Sequence, residues 1–313
     1  MKKHFFFFIF LLSSFLTVAQ TYKYIGVEDG LSNRRVYAIQ KGPKGYMWFL
    51  THDGIDRYNG KEFKQYKLMD GEEEINSMMS LSWLYTDSKG RLWEIGKQGR
   101  VFRYENKHDR FQLVYKLPKS ETKGLHTPVS YGFVDNNSTI WLCNQKNIYL
   151  YNSETEKCTT IKNEINESIT DIEQIDTNHY FIGTDVGIHY AKLKNNILAL
   201  SPCEKLDTLK LQINELFYHK KSRKIFIGTF QRGIYVYDLN LHKAFPVKSS
   251  LIDVSINRIR AFGDNEILIA TDGAGVHKMN VDTHSTEPYI VADFNRYNAM
   301  NGNTIYDIYI DED

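Results

Sequence analysis

An all-β chain folded as a β-propeller, a ring of four-stranded blades, is predicted by three observations. One segment recurs six times, at Gly45–Tyr58, Gly90–Tyr104, Thr139–Tyr151, His179–Tyr190, Lys224–Tyr237 and Glu266–Met279. Each copy carries a bulky apolar anchor at the same point: Trp48, Trp93, Trp141, Phe181, Phe226 and Leu268, at spacings of 45, 48, 40, 45 and 42 residues. The runs within each copy are short, rich in β-branched and aromatic residues, and bounded by Gly, Asn or Asp, so they read as strands. A period of this length built only from strands gives one blade per repeat.

The first strand of each blade shows an apolar pair at i and i+3: Val36/Ile39, Leu81/Leu84, Ile169/Ile172, Ile213/Leu216, Ile256/Ile259 and Ile305/Ile308. That spacing alone suits a helix, but the runs are too short for one and turn residues close them. Lys44-Gly45, Lys89-Gly90 and Asn136-Asn137 supply tight turns, since Gly and Asn accept positive φ. The second strand carries the anchor and ends at Thr51, Gly96, Thr184, Thr229 or Thr271. The third begins at Ile55, Val101, Ile148, Ile188, Ile234 or Val276. The fourth, outermost strands are weaker: Phe63–Tyr66, Phe111–Tyr115, Cys158–Ile161, Ile197–Leu200, Ala244–Val247 and Tyr289–Val291. Pro246 and Pro288 fall in them, as edge strands tolerate. Blades pack between two neighbours, so both faces are apolar and the six anchors are expected in the core. Essentially no helix is expected after residue 20.

The two ends depart from the repeat. Tyr22–Ile25 resembles a fourth strand without a blade, and Thr304–Asp311 a first strand without a following turn and anchor. Together they predict an incomplete seventh blade built from both termini, with 22–25 beside 305–310, and a longer parent protein that completes it.

The chain has 313 residues, 14% aromatic and 25% charged, with a formal net charge of +1. This allows one large core and gives no electrostatic footprint for a phosphate backbone, so nucleic-acid binding is disfavoured. Cys143, Cys158 and Cys203 are too few and too unevenly spaced for a disulfide framework or a zinc site. Two buried thiols are expected at Cys143 and Cys158 in preference to a bridge. At the N-terminus, Lys2, Lys3 and His4 precede the 12-residue apolar run Phe5–Leu16 and the small residues before Ala19. This is the pattern of a cleaved secretory signal over residues 1–19, and the run is too short to span a bilayer. No later stretch reaches that length, so 20–313 is expected as one exported propeller domain.

Asp29-Gly30-Leu31-Ser32, followed by Val36–Ile39, Gly45, Trp48-Phe49, Thr51, Gly54-Ile55, Arg57-Tyr58, Gly60, Phe63 and Tyr66, closely resembles the two-component regulator propeller repeat. The resemblance spans the mature chain and is sharpest in the first blade. It implies an N-terminal periplasmic sensor propeller of a hybrid two-component system, responding to oligosaccharides released from complex glycans. It also implies downstream domains, kinase and regulator included, that these residues do not contain.

Motifs for hydrolases, zinc proteases, phosphate-cradling loops and Cys-x-x-Cys chemistry are absent from the sequence. No catalytic residue, metal or cofactor is expected; Asp311-Glu312-Asp313 supplies too few oxygens for calcium. Propellers commonly bind where the loops entering first strands meet those joining second to third strands. Candidate ligand contacts are therefore Asn33, Arg34, Arg35, His52, Asp53, Lys97, Gln98, Gln231, Arg232 and Asp272. Arg34-Arg35 and Gln231-Arg232 stand out because guanidinium forks suit carboxylated or sulfated sugars. Arg57 and Arg103, at equivalent repeat positions, are expected to pair within their blades. The alternatives to a sensor are a periplasmic propeller lyase or glycosidase, and a scaffold for interaction or dimerisation.

Overall fold

The computed structural model describes residues 23–75, 82–124, 128–201, 210–293, 300 and 302–311. Six antiparallel four-stranded sheets follow one another along the chain, spanning 36–66, 83–116, 131–162, 169–201, 213–246 and 255–290. Each is a meander paired in chain order, and first strands of neighbouring blades touch, so they surround a central channel. The anchors form the cores between blades. Trp48, Trp141 and Phe226 are fully buried, and Leu268, the most exposed of the six, reaches only 5%.

A β-bulge explains the helix-like spacing of the first strands. In blade four Ile169 pairs with Thr184, Asp171 with Gly183 and Ile172 with Ile182, leaving Thr170 unpaired. One extra residue on the bulged strand returns positions i and i+3 to the same face. The same shift occurs at Val36/Ala38, Ile213/Glu215 and Ile256/Arg258. It also turns the residue after the bulge toward the channel.

Two side-chain devices fix the turns. Thr51, Thr184, Thr229 and Thr271 each donate through Oγ1 to the carbonyl of Gly54, Gly187, Gly233 and Gly275, closing the turn into the third strand. Asp87 and Asp135, in the turns after the first strands of blades two and three, accept the indole N–H of Trp93 and Trp141 at 2.9 and 3.1 Å. Gly42 closes the corresponding turn of blade one, and there the Trp48 indole N–H has no partner. Near the channel, Gly183 and Gly228 leave room for the next blade: a Cβ on either would stand 2.6 or 2.7 Å from the Cγ2 of Ile213 or Ile256.

Several expectations need correction. A short hairpin, Leu68–Asp70 with Glu73–Ile75, follows blade one, and a single helical turn, Lys119–Thr122, follows Pro118 in the link to blade three. The outer strands of blades five and six run Lys243–Pro246 and Thr286–Ile290, slightly earlier than expected. Arg57 lies over the Tyr46 ring of its own blade at 4.6 Å, but its ion pair crosses to the next. It faces blade two and reaches Asp109 at 2.7 Å and the Tyr104 hydroxyl at 3.0 Å. Arg103 does stay in its own blade, over the Trp93 ring. Cys143 and Cys158 are free thiols, the first buried and the second partly so. Leu81, Cys203, Tyr22, Glu312, Asp313 and the signal segment 1–19 lie outside the described residues.

The ends are tied separately. Asn214 Nδ2 donates to the Ile256 carbonyl at 3.2 Å across blades five and six, and Asn257 Nδ2 donates to the Ile305 carbonyl at 2.9 Å. Residue 305 therefore stands to blade six as residue 256 stands to blade five, in the innermost-strand position of a next blade. Beyond the bridge from Thr304 to Asp272 this segment is not a regular strand. At the other end Lys23–Ile25 is irregular, not the expected outer strand, and Lys23 contacts the Tyr58 hydroxyl at 3.3 Å. No middle strand lies beside it among the described residues, so its backbone has no ladder to join. Among the described residues no strand pairing joins 23–25 to 305–310.

Candidate functional site: the channel and its mouth

The residues turned inward by the bulges meet as a ring of charge. Asp171 accepts the Tyr131 hydroxyl and the Leu216 amide; Tyr131 in turn contacts the Tyr85 hydroxyl at 3.3 Å. Glu215 pairs with Arg258 at 2.9 Å and Arg260 at 3.0 Å, and Arg258 Nε reaches Asp307 at 2.8 Å. Asp307 then accepts the Ile39 amide of blade one at 2.8 Å. The path touches blades two, three, four, five and six, the C-terminal segment and blade one. Asp171, Glu215 and Asp307 follow one rule, each accepting a backbone N–H at the second apolar position of the next first strand.

Burial sets the electrostatics. It pushes Glu173 up to about 8 and raises Asp171. It also lifts Glu215 to about 7, against the pull of Arg258. Burial works against the Arg258 charge too, but Glu215, Asp307 and Asp171 hold it firmly protonated. These carboxylates are already engaged by arginines and amides, so the ring is a fastening between blades.

One end of the channel lies on the side where second strands turn into third strands. Its mouth, a cavity of about 270 Å³, is lined by Tyr37, Gln40, Trp83, Tyr85, Lys97 and Arg258, among others. Lys97 Nζ sits 5.7 Å from the Trp83 ring centroid, and burial lowers its pKa. A second cavity of about 440 Å³ opens toward the opposite face, past Glu173, Phe217 and Tyr309. Gln40, Tyr85, Arg258 and Arg260 line both, so the two cavities share one wall of side chains.

The structure brings some of the sequence candidates together. Asn33 Nδ2 bonds Asp53 at 3.0 Å, the Asn33 side chain accepts the Arg35 amide, and His52 donates its amide to the Arg35 carbonyl. His52 Nδ1 also meets the Tyr37 hydroxyl at 3.2 Å, which ties this cluster to the mouth. Arg34 is exposed and leans on Glu28 at 3.5 Å. Gln98 is turned outward along its blade, holding Arg100 at 2.6 Å. Gln231 and Arg232 are exposed in the turn of blade five, with Gln231 at φ 53. Asp272 closes the second strand of blade six and accepts the Thr304 hydroxyl at 2.9 Å, a fastening to the C-terminal segment. Sequence reasoning reached Lys97 and missed Trp83, Tyr85, Gln40, Arg258 and Arg260. The available signal was the residue before the second apolar position of the first strands: Trp83, Asp171, Glu215, Arg258 and Asp307, where charge or an indole interrupts an apolar run; blade one has Ala38 there.

The fold defines a class, the β-propeller of six complete four-stranded blades, and comparison with solved structures agrees. Two extracellular domains from B. thetaiotaomicron superpose with a TM-score of 0.71: that of the system BT4673 at 19% identity, and that of the hybrid two-component system BT3049 at 17%. The chain is covered to 94% and 93%, but spans only 38% and 39% of those two proteins. Virginiamycin B lyase from Staphylococcus aureus shares the fold at a TM-score of 0.62 and 13% identity, with 82% of this chain and 84% of the lyase covered. No protein-family model and no curated protein matches the sequence. Among the described residues no helix is long and apolar enough to cross a membrane.

Proposed function

We propose that this propeller is the ligand-reading segment of an exported sensor of the hybrid two-component kind, and that it signals by binding without turnover. The ligand is an oligosaccharide carrying carboxylate or sulfate groups. One observation carries the reading: the channel mouth sets Trp83 and Tyr37 beside the cation Lys97, which lies over the Trp83 ring. Aromatic faces stack on the apolar faces of sugar rings, and fixed cations select acidic substituents. Arg34, Arg35 and Arg232, on the loops of the same face, extend that positive rim. The signal over residues 1–19 would deliver the domain to the periplasm. Further domains of the parent, or a second copy of the chain, would receive the message.

Calorimetry of the chain against neutral, uronic-acid and sulfated oligosaccharides tests this. Saturable heat from the acidic members, weakened in Lys97→Ala, Arg35→Ala and Arg232→Ala, is the expected result. Release of unsaturated or hydrolysed products from the same panel would replace sensing with lyase or glycosidase activity. Silence across the whole panel would leave the interaction scaffold as the reading.

A further inference from the structure

A second cavity with unmet chemistry lies between blades one and two, away from the ring. It has a volume of about 430 Å³, with Ser32, Asp53, Asp56, Ser82 and Glu94 among its polar lining and Leu50, Ile55 and Tyr66 on its apolar wall. Asp56 is fully buried and Glu94 is 1% exposed. Ser32 donates its amide and its hydroxyl to Asp56 Oδ2, yet Asp56 Oδ1 has no partner among the described residues. Glu94 is bonded by Ser82, and its Oε2 is likewise without one. Native proteins rarely leave buried acceptors unmatched, because each costs about 1–3 kcal/mol and more when charged. Two of them on one cavity call for a donor.

The charge of the lining says which donor. Asp53, Asp56, Glu74 and Glu94 face the cavity against a single cation, Lys67, and Lys67 is already paired with Glu74 at 2.7 Å. A hard metal ion fits poorly: calcium takes roughly 6–8 oxygens, and no cluster of three His, Cys, Asp or Glu among the described residues could hold a metal. An ammonium group carries a full charge and three donors, and two carboxylates satisfy most of them. We propose that the cleft between blades one and two binds a small organic ligand through a primary ammonium group, held by Asp56 Oδ1 and Glu94 Oε2. The apolar wall of Leu50, Ile55 and Tyr66 receives the body of the ligand. Burial raises both carboxyls, Glu94 to about 8, and a bound cation would bring them down again. This site is independent of the channel mouth and of the acidic ligand proposed there.

The test uses two ammonium probes of different size, ethanolamine and glucosamine, each against its neutral counterpart, ethylene glycol and glucose. Thermal shift and calorimetry of the full chain read the result. At least one ammonium probe should bind saturably and raise Tm, with its neutral counterpart at least about tenfold weaker. Glu94→Gln and Asp56→Asn should each weaken the ammonium probe by about tenfold or more, as for loss of a charged hydrogen bond. Asp56 also fastens Ser32, so its variant tests folding as well as binding. Glu94→Gln keeps the shape and removes a desolvated charge, so it should melt at or above the parent temperature while losing the probe. Equal binding of charged and neutral probes, unchanged binding in a folded Glu94→Gln, or no saturable binding of either ammonium probe overturns the proposal.

Discussion

Asp307 and Ile39 stand 268 positions apart, yet Asp307 Oδ2 accepts the Ile39 amide at 2.8 Å while Oδ1 holds the Arg258 guanidinium of blade six. One nearly buried carboxylate thus joins the last complete blade to the first. Lys41 with Asp311 at 2.8 Å repeats the link nearer the surface, where solvent screening makes it worth little. Asp307→Ala should therefore open the ring at one seam. Removing one partner of a buried ion pair costs about 3–5 kcal/mol. Hydrogen exchange should show the loss first at the Ile39 amide, while Leu216, held by Asp171, stays protected. Uniform loss in all six blades would mean that the seam carries no special load.

The anchors should divide by the fate of the indole N–H. Trp93→Phe removes one donor from Asp87, which keeps those of Lys89 and Arg91, and should cost about 1–3 kcal/mol beyond the packing loss. Trp48→Phe removes an N–H that already lacks a partner and should be milder. Complete truncation of Trp93 or Trp141 to Ala should cost about 3–5 kcal/mol. Denaturant midpoints of the four variants settle the order, and a Trp48→Phe as damaging as Trp93→Phe would contradict it.

Gly183→Ala and Gly228→Ala should each destabilise by about 1–3 kcal/mol through overpacking against Ile213 and Ile256. Gly60→Ala meets no atom within 4 Å, but Gly60 sits at φ 93, so its cost would be backbone strain alone. Ile213→Ala should cost less in the Gly183→Ala background than alone, a recovery that follows because it removes the clashing Ile213 Cγ2. No recovery would place the strain elsewhere.

Stability should fall as pH rises through neutrality. Glu94 and Glu173 are raised from 4.5 to about 8 by burial, so the folded chain holds protons that the unfolded chain has released. That stability is fully present below about 4.5 and is lost progressively up to about 8. Glu94→Gln should be near neutral at pH 5 and stabilising at alkaline pH, on the order of 2–4 kcal/mol. Asp70, Asp87 and Asp109 act in the opposite sense. Hydrogen bonds from Lys116 and Arg100 lower Asp70, and in Asp87 and Asp109 bonds from neighbouring donors outweigh burial. They withdraw support only in strong acid. Melting curves of parent and variant across this range check the sign.

The blades were legible because each repeat states its own turns, anchor and strand lengths in local residues. The bulge was half legible: the i, i+3 spacing was visible, but its cause appears only when Asp171 is seen opposite Gly183. The ring was legible only as a recurrent position: charge stands before the second apolar residue at Asp171, Glu215, Arg258 and Asp307, but their meeting depends on closure of the propeller. The cleft was not legible. Ser32 and Asp56 belong to one blade and Glu94 to the next, and no sequence window contains them all. Asp29-Gly30-Leu31-Ser32, the most recognisable motif, proves to be structural. Gly30 sits at φ 104, Leu31 is buried, and Ser32 Oγ contacts Thr51 Oγ1 at 2.7 Å.

Ligand-dependent hydrogen exchange of the chain, saturated with whichever acidic oligosaccharide gives calorimetric heat, tests the sensor reading most directly. Protection should concentrate around Arg34–Tyr37, His52, Trp83, Lys97 and Gln231–Arg232, at the mouth and rim of one face. Protection confined to the opposite face near Phe217 and Tyr309, or consumption of the oligosaccharide during the measurement, would contradict it.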